Sequence, residues 1–352
     1  MAAGPVNSRV TRRINIALQG GGAHGAFTWG VLDRLLEEEG LEIAGISGTS
    51  AGALNGAALK AGLVTGGRQA ARDNLDWLWT RMGAVHDDAL APWFRAFWPA
   101  PGVMSKLIEL APAYQFADAA TRVFSPYGLP FADNPLRAVA ERFHYDRVCS
   151  RDGPALFVCA TNVRSGKVRV FEGDAITPDA LLASACLPTL FRAVEIEDAA
   201  TGRREAYWDG GYTGNPALFP LFRPELPDDL VIVNINPLYR AEVPKSAHDI
   251  QNRVNEISFN ASLLRELRAI QFVRDLIRDG KVVRGTMKDV LVHMIGDDAL
   301  MNDLSVATKL VPEPSVLAAL KAAGRGAAQD FLDRHWDRLG RESNVDLRAM
   351  FG

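Results

Sequence analysis

The sequence has few of the features that mark secreted, membrane-spanning or nucleic-acid-binding proteins. Its 352 residues include only three cysteines, Cys149, Cys159 and Cys186, an odd number without metal-site spacing, and reduced cytoplasmic thiols explain them most simply. No run of eighteen apolar residues occurs, so we expect no membrane span, and residues 1–13 contain no apolar signal core. A net charge of −3 with intermixed signs leaves no basic surface for nucleic acid. These absences predict a cytoplasmic protein without a nucleic-acid partner.

Strand and helix patterns alternate in the first third of the chain. Apolar strands over 14–18 and 42–47 precede helices over 27–39 and 51–63. Later strand candidates are 155–160, 168–171, 230–235 and 290–295, and later helix candidates are 246–279 and 315–339. Alternation implies right-handed crossovers and parallel pairing. We predict an α/β three-layer sandwich with a mostly parallel central sheet and helices on both faces, plus a mainly helical C-terminal extension.

A serine occupies the second strand-to-helix junction, in Gly48-Thr49-Ser50-Ala51-Gly52. A serine between two glycines on such a turn is the nucleophile-elbow pattern, which exposes the hydroxyl above a sheet. Gly48 and Gly52 suit this position because side chains there would collide across a tight turn. The pattern predicts Ser50 as a nucleophile.

Three glycines, Gly20, Gly21 and Gly22, occupy the first junction. They leave backbone N–H groups unobstructed at a helix N-terminus, which suits a tetrahedral oxyanion. Gly20-x-Gly22-x-x-Gly25 also spells a dinucleotide-binding fingerprint, which expects an acidic residue about 20 positions further on. Residues 47–50 hold Ser-Gly-Thr-Ser instead, and this favours the oxyanion interpretation.

A nucleophilic serine needs a base. The histidines late enough for the usual Ser, Asp or Glu, His order are His248, His293 and His335, and none has a recognisable catalytic setting. Asp209 is the stronger candidate, because desolvation would raise the pKa of its carboxyl group and let it accept the serine proton. Asp-Gly is also a common turn dipeptide, so Asp209 alone carries little weight.

Taken in order, these motifs resemble the patatin-like phospholipases. The resemblance covers about residues 14–236. It is carried by Gly20 to Gly22, the elbow and Asp209-Gly210-Gly211, together with Ala183-Ser184-Ala185-Cys186-Leu187-Pro188, Phe191 and the hairpin around Ala160-Thr161-Asn162. It implies Ser50 as nucleophile, Asp209 as the base of a Ser–Asp dyad without histidine, and the backbone of Gly20, Gly21 and Gly22 as the oxyanion hole.

Two positions depart from that family's pattern. His24 follows the glycine run where the family often has Arg or Lys, which leaves an electrostatic supplement to the oxyanion hole open. Gly211 stands where many relatives have alanine, a minor change.

Because Ser50 and Asp209 must touch, the residues between them belong to one folded unit. We predict a tail over 1–13, a catalytic domain over 14–236 with an aromatic-rich helical insertion at about 66–145, and a C-terminal extension over 237–352 packed on it. Two interpretations of the insertion's aromatic residues stay open. They fill a seam against the sheet, or Trp93, Phe94, Phe97 and Trp98 form an acyl groove or a lid at a lipid interface.

The expected function is that of a lipid acyl hydrolase that cleaves fatty acyl esters of the phospholipase A or lysophospholipase type, without metal or organic cofactor. The alternatives are an esterase or thioesterase on soluble substrates, and a catalytically silent lipid-binding or scaffold protein. The expected partners are a lipid or acyl-ester substrate, a membrane surface contacted peripherally, and a second copy of the chain. The basic face of the helix over 246–279 is a candidate for the membrane contact, although such faces are usually only solvated.

Overall fold

A computed structural model describes residues 11–83, 99–123, 125–128, 134–199 and 201–351. Within them, eight strands form one sheet. The strands are β1 (Arg12–Leu18), β2 (Leu41–Thr49), β3 (Ala155–Asn162), β4 (Val168–Glu172), β5 (Val194–Asp198), β6 (Arg203–Asp209), β7 (Asp229–Asn234) and β8 (Leu291–Gly296). Their order is β5-β6-β3-β2-β1-β7-β8, and β4 pairs with β3 outside this path. Strands β3, β2, β1, β7 and β8 are parallel, whereas β4 and β6 run antiparallel to β3, and β5 antiparallel to β6.

Helices cover both faces of this sheet. They are α1 (Gly25–Leu35), α2 (Ala51–Arg81), α3 (Pro101–Leu110), α4 (Pro112–Val123), α5 (Arg137–Ala140), α6 (Tyr145–Val148), α7 (Pro178–Ser184), α8 (Ala247–Arg278), α9 (Asp298–Asn302), α10 (Val306–Leu310), α11 (Pro314–His335) and α12 (Leu347–Phe351). Side chains alternate along β1, so Ile16 joins the core under α1, α2, α7 and α11, whereas Ala17 joins the core under α8 and α12. The predicted mostly parallel sandwich is confirmed.

The C-terminal part shares this sheet and this core. Strand β8 pairs in parallel with β7, and α11 packs closely on α1. A side chain at Gly30 would collide with the carbonyl oxygen of Lys321, and one at Gly324 with that of Phe27. The two helix backbones therefore touch, which fixes the C-terminal part against the first helix of the chain.

Several element bounds differ from those predicted. Helix α1 ends at Leu35 rather than at residue 39, and α2 runs to Arg81 through a break at Gly66 and Gly67. Strands β5 and β6 were not predicted, because charged residues occupy most positions of this partly exposed hairpin and leave no apolar run. In the described parts of 66–145 the chain forms helices and no strand, as expected from its prolines and glycines.

Candidate active site

Ser50 lies on the sharp turn between β2 and α2. Its φ of 54° and ψ of −123° make it the one non-glycine residue with a positive φ in the part of the chain that the structure describes. Backbone of this kind persists only where its surroundings hold it, and it is the geometry of a nucleophile elbow. Ser50 is 9% exposed, so a substrate must enter a largely closed site to reach it.

The two elbow glycines are required by close backbone approach. A Cβ at Gly48 would lie 2.6 Å from the carbonyl oxygen of Gly52, and a Cβ at Gly52 would collide with the carbonyl oxygen of Leu18 at the end of β1. A side chain at Gly48 would distort the elbow itself, and one at Gly52 would push the elbow away from the start of the glycine loop that follows β1. The elbow and the glycine loop are therefore packed against each other.

Asp209, the last residue of β6, is 3% exposed. One carboxylate oxygen accepts the N–H of Gly211 at 2.7 Å, and the carboxylate lies close enough to the Ser50 side chain for that group to lower its pKa. Burial raises the pKa of Asp209 to about 7, although the Gly211 N–H and the Ser50 side chain oppose the rise. Near neutral pH this carboxylate can thus accept a proton from the hydroxyl group that it faces.

Ser184, whose role the sequence did not reveal, holds the elbow from behind. Its fully buried hydroxyl accepts the Ser50 N–H at 2.9 Å and donates to the carbonyl oxygen of Cys159 at 2.6 Å. Cys159 lies near the end of β3, which pairs with the strand of Asp209. Ser184 therefore ties the backbone of Ser50 to the strand beside Asp209. The sequence signal was the Ala183 to Pro188 segment, which entered only through the family resemblance.

The three glycines of the loop after β1 are not equivalent. The N–H of Gly20 donates to the side-chain oxygen of Asn215 at 2.7 Å, so this amide is already engaged. Among the described residues, no acceptor is hydrogen-bonded to the amides of Gly21 and Gly22. Gly22 has a φ of 57°, and a Cβ there would collide with the carbonyl oxygen of Lys309. The amides available to an oxyanion are those of Gly21 and Gly22, whereas Gly20 anchors the loop.

A cluster of buried amide side chains supports this loop: Gln19, Asn215, Asn236 and Asn260. The side-chain oxygen of Gln19 accepts the backbone N–H groups of Ile235 at 2.9 Å and of Asn236 at 3.1 Å. The Asn236 Nδ2 group donates to the carbonyl oxygen of Gly20 at 2.8 Å. Asn260 reaches the cluster from α8 and accepts from Gln19 at 3.2 Å. The glycine loop is thus held by residues on both sides of position 237.

His24 supplies no charge to this site. Burial, followed by the charges of Lys309 and Arg240, lowers the pKa of His24 well below its usual value. Its Nε2 lies 2.7 Å from the hydroxyl of Thr308, which itself donates to Ser305, so Nε2 carries the proton. The imidazole of His24 is therefore neutral and adds no positive charge to the loop of Gly20, Gly21 and Gly22.

The late histidines lie elsewhere in the fold. His293 is fully buried on β8, and its Nε2 lies 2.8 Å from Asp229. His335 packs against Phe331 at a ring-centroid distance of 5.7 Å. The side chain of His248 lies outside the described part of the structure. His293 and His335 thus have packing partners of their own.

The four residues of the predicted groove or lid, Trp93, Phe94, Phe97 and Trp98, lie outside the described residues. Of two earlier aromatic residues of the insertion, Trp79 lies in the core and Trp77 packs against it. Trp79 stacks on Trp29 at a centroid distance of 6.1 Å and donates to Asn55 at 2.9 Å, and Trp77 meets Phe143 edge-on. Further on, Phe116 of α4 is 77% exposed. Among the described aromatic residues of the insertion, Trp77 and Trp79 are therefore packing residues, whereas Phe116 is exposed.

No helix in the described parts of the chain is both long and apolar enough to cross a membrane. Among the same residues, no group of three or more His, Cys, Asp or Glu side chains is placed to hold a metal ion.

An elbow serine, a buried carboxylate beside it and unengaged loop amides lie together at one end of a mostly parallel sheet, an arrangement capable of serine acyl transfer. The model of the patatin-like phospholipase family matches residues 16–222, which is more than half of the chain. The chain belongs to this family.

Two solved structures are distantly similar. VipD from Legionella pneumophila is 14% identical, with 92% of this chain and 67% of that chain covered and a TM-score of 0.41. The ExoU–SpcU complex from the type III secretion system of Pseudomonas aeruginosa is 17% identical, with 72% and 51% covered and a TM-score of 0.26. The chain thus spans between half and two thirds of their lengths. No curated protein matches the chain.

Proposed function

We propose that the protein is a lipid acyl hydrolase that works through a Ser50–Asp209 dyad and an acyl-enzyme intermediate. Ser50 attacks the ester carbonyl while Asp209 takes its proton, and Asp209 then returns this proton to the leaving alcohol. In the second half of the reaction, Asp209 activates the water that releases the fatty acid. The observation that carries the proposal is the buried Asp209 carboxylate beside the elbow serine, whose pKa burial raises to about 7.

The negative charge that develops on the carbonyl oxygen is stabilised by backbone amides. Gly21 and Gly22 are two of the donors, for the reasons given by the loop geometry. Ala51, the first residue of α2, adds a third, since the amide after an elbow serine lies at a helix N-terminus without an intrahelical partner. Sequence reasoning had assigned the oxyanion hole to Gly20, Gly21 and Gly22, and Ala51 replaces Gly20 in this proposal.

Membership in a family of phospholipases supports a lipid ester as substrate. Exposed apolar side chains on two helices after the predicted lid, Leu107 and Leu110 on α3 and Phe116 on α4, support a peripheral contact with lipid. A cytoplasmic location remains a prediction. Two alternatives differ from the proposal in their substrates. An esterase or thioesterase would hydrolyse soluble acyl esters or thioesters, and a silent lipid-binding protein would hydrolyse none.

The Ser50→Ala variant tests the nucleophile. We expect it to fold normally and to lose nearly all turnover, because removal of a catalytic serine costs on the order of a millionfold in a model hydrolase. A fluorophosphonate probe should label the wild type at Ser50 only, and phospholipids, lysophospholipids and short soluble esters should be compared as substrates. Labelling at another residue, or substantial turnover by the alanine variant, contradicts the assignment. Turnover of soluble esters alone favours the esterase, and no turnover of any ester favours the silent protein.

A further inference from the structure

A chain of hydrogen bonds links the C-terminal part of the protein to the glycine loop. The Nζ group of Lys309, on α10, donates to the side-chain oxygen of Asn236 at 2.8 Å. The Nδ2 group of the same Asn236 donates to the carbonyl oxygen of Gly20 at 2.8 Å. Both Lys309 and Asn236 lie beyond residue 222, where the match to the family model ends.

The Gly20 carbonyl and the Gly21 N–H belong to one planar trans peptide, in which they point in opposite directions. Since the carbonyl faces Asn236, the Gly21 N–H points away from Asn236, and no acceptor within the described residues engages it. Gly20 itself lies against the nucleophile, because a Cβ on it would be 2.8 Å from the Cβ of Ser50. The chain from Lys309 therefore ends on an unengaged amide in the loop beside the serine.

We infer that Lys309 is a positioning residue for the oxyanion hole, which acts through Asn236 on the Gly20–Gly21 peptide. The ammonium group polarises the Asn236 amide, this amide polarises the peptide, and the Gly21 N–H becomes a stronger donor to the developing oxyanion. Lys309 thereby provides the positive charge that the neutral His24 does not. The inference rests on the proposed function, because it concerns the oxyanion formed at Ser50.

A purely structural role for Lys309 is the competing explanation. Its backbone carbonyl packs against Gly22 whatever the side chain is, so the test must change the charge and keep the backbone. Lys309→Met removes the charge at similar length, and Lys309→Arg keeps it. Lys60→Met is the control, since Lys60 also donates to a single oxygen, the Ser150 carbonyl at 2.7 Å; Lys60 is buried and Lys309 half-buried. Lys60 lies near the far end of the first part of α2, remote from Ser50.

With a short soluble ester at pH 7, we expect Lys309→Met to lower kcat about 10–100-fold, less than the 10²–10³-fold lost with an oxyanion donor itself. KM should stay within about threefold, because the interaction strengthens only in the transition state. The rate of Ser50 labelling by a fluorophosphonate should fall in parallel, Lys309→Arg should retain most of the activity, and Lys60→Met should keep the wild-type kcat. Asn236→Leu should cost at least as much as Lys309→Met, because it also removes the bond to the Gly20 carbonyl, and the double variant should cost no more than Asn236→Leu.

The pH profile separates charge from packing. Desolvation lowers the pKa of Lys309 to about 8, with Glu256 opposing and Arg240 reinforcing the change. Of the ionisable groups around it, Arg240 has a raised pKa, Glu256 a lowered pKa and His24 a strongly lowered pKa, so all three keep their charge state between pH 7 and 9. The wild type should lose kcat as pH rises through about 8, and Lys309→Met should lack this decline.

Wild-type kcat in Lys309→Met, an unchanged alkaline decline in that variant, or an equal loss of kcat in Lys60→Met overturns the inference. If Lys309→Met does not fold, Asn236→Leu interrupts the same chain with the lysine in place, and a wild-type kcat in that variant overturns it as well. A wild-type protein that neither hydrolyses esters nor reacts with the probe overturns the proposed function together with the inference. Normal wild-type labelling at Ser50 with unaffected Lys309 variants overturns the inference alone.

Discussion

Two buried aspartates, at opposite ends of the sheet's strands, have similar backbone contacts and different partners. Asp209 ends β6 on the side of Ser50, whereas Asp229 begins β7 on the other side. Each accepts one backbone N–H, at 2.7 and 2.9 Å respectively. Asp229 then meets the imidazole of His293 at 2.8 Å, whereas Asp209 meets the hydroxyl of Ser50.

Under the proposed mechanism, this difference means that the familiar Asp–His pair is not the reactive one. An Asp–His pair is part of many hydrolase sites, yet here it lies away from the nucleophile, between β7, β8 and α11. The carboxylate beside the nucleophile has no basic side chain hydrogen-bonded to it among the described residues, and burial raises its pKa to about 7. A general base is most effective when its pKa lies near the working pH. This comparison favours Asp209 over Asp229 as the base of the proposed reaction.

The largest expected effect comes from Asp209→Asn, which should abolish ester hydrolysis, with a loss of kcat of about 10⁴-fold or more. An amide has no basic oxygen that can take the serine proton, although it can still accept the Gly211 N–H. In the wild type, kcat should rise with pH through about 7 as Asp209 ionises. Substantial turnover by a folded Asp209→Asn variant would mean that another group is the base and that Asp209 does not differ from Asp229 in catalytic role.

The same variant should be more stable than the wild type at high pH. Asp209 titrates near 3.8 in the unfolded chain and at about 7 in the folded one, so folded wild type loses stability as pH rises between these values. At about 1.4 kcal/mol per pKa unit, the loss approaches about 4 kcal/mol above pH 7, and asparagine avoids it. Melting temperatures of both proteins from pH 4 to 8 should therefore diverge with pH. Parallel curves would mean that Asp209 is not held in a desolvated site.

Local sequence predicted the parts of this site that depend on neighbouring residues. The elbow around Ser50 and the glycine loop each need only a strand, a turn and a helix, and both patterns are contiguous. Ser184 and Asn236 escaped prediction because their contacts are distant: Ser184 is 134 positions from Ser50, and Asn236 is 216 from Gly20. No local sequence pattern identifies the partner of a single serine or asparagine when that partner lies more than a hundred positions away.

The fold shows the same limit. The parallel strands were predicted because they are continuous apolar runs, buried on both faces. The hairpin of β5 and β6 was missed, since its exposed positions include Glu195, Glu197 and Arg203. That hairpin delivers Asp209 to the site, so the predicted base was assigned without knowledge of the strand that carries it.

A smaller effect is expected for Ser184→Ala. This variant tests whether the Ser184 hydroxyl holds Ser50 in position beside Asp209. The change leaves the Ser50 N–H and the Cys159 carbonyl without their buried partner, at a cost of about 1–3 kcal/mol for each group left unsatisfied. Relaxation of the strained elbow should lower kcat about 10–100-fold, with little change in KM, because small misplacements of reacting groups slow the chemical step.

Ser105→Ala is the matched control for Ser184→Ala. Ser105 is also a buried serine with a hydroxyl hydrogen bond, to Ser305 at 2.9 Å, but it lies on α3. It should lose stability without losing kcat. If Ser184→Ala behaves in the same way, the Ser184 hydroxyl stabilises the fold and has no part in positioning Ser50.

The smallest effect on catalysis should follow from replacing His248, His293 or His335. A large loss of kcat in one of these variants would give a histidine the catalytic role that we assign to Asp209. His293→Ala leaves Asp229 buried without its imidazole, so we expect a loss of about 3–5 kcal/mol in stability, as when a buried pair loses one partner. His335→Ala, at a partly exposed position, should cost little in stability. Both variants, and His248→Ala, should keep kcat within about tenfold of the wild type when assayed at a temperature where each is folded.

The thermal shift and kcat must be measured on the same samples, because an unfolded fraction would imitate a catalytic defect. A folded histidine variant that loses about 10⁴-fold in kcat would replace the Ser–Asp dyad with a triad. A large thermal shift for His293→Ala with preserved kcat would instead establish that Asp209 and Asp229, both buried, serve different purposes.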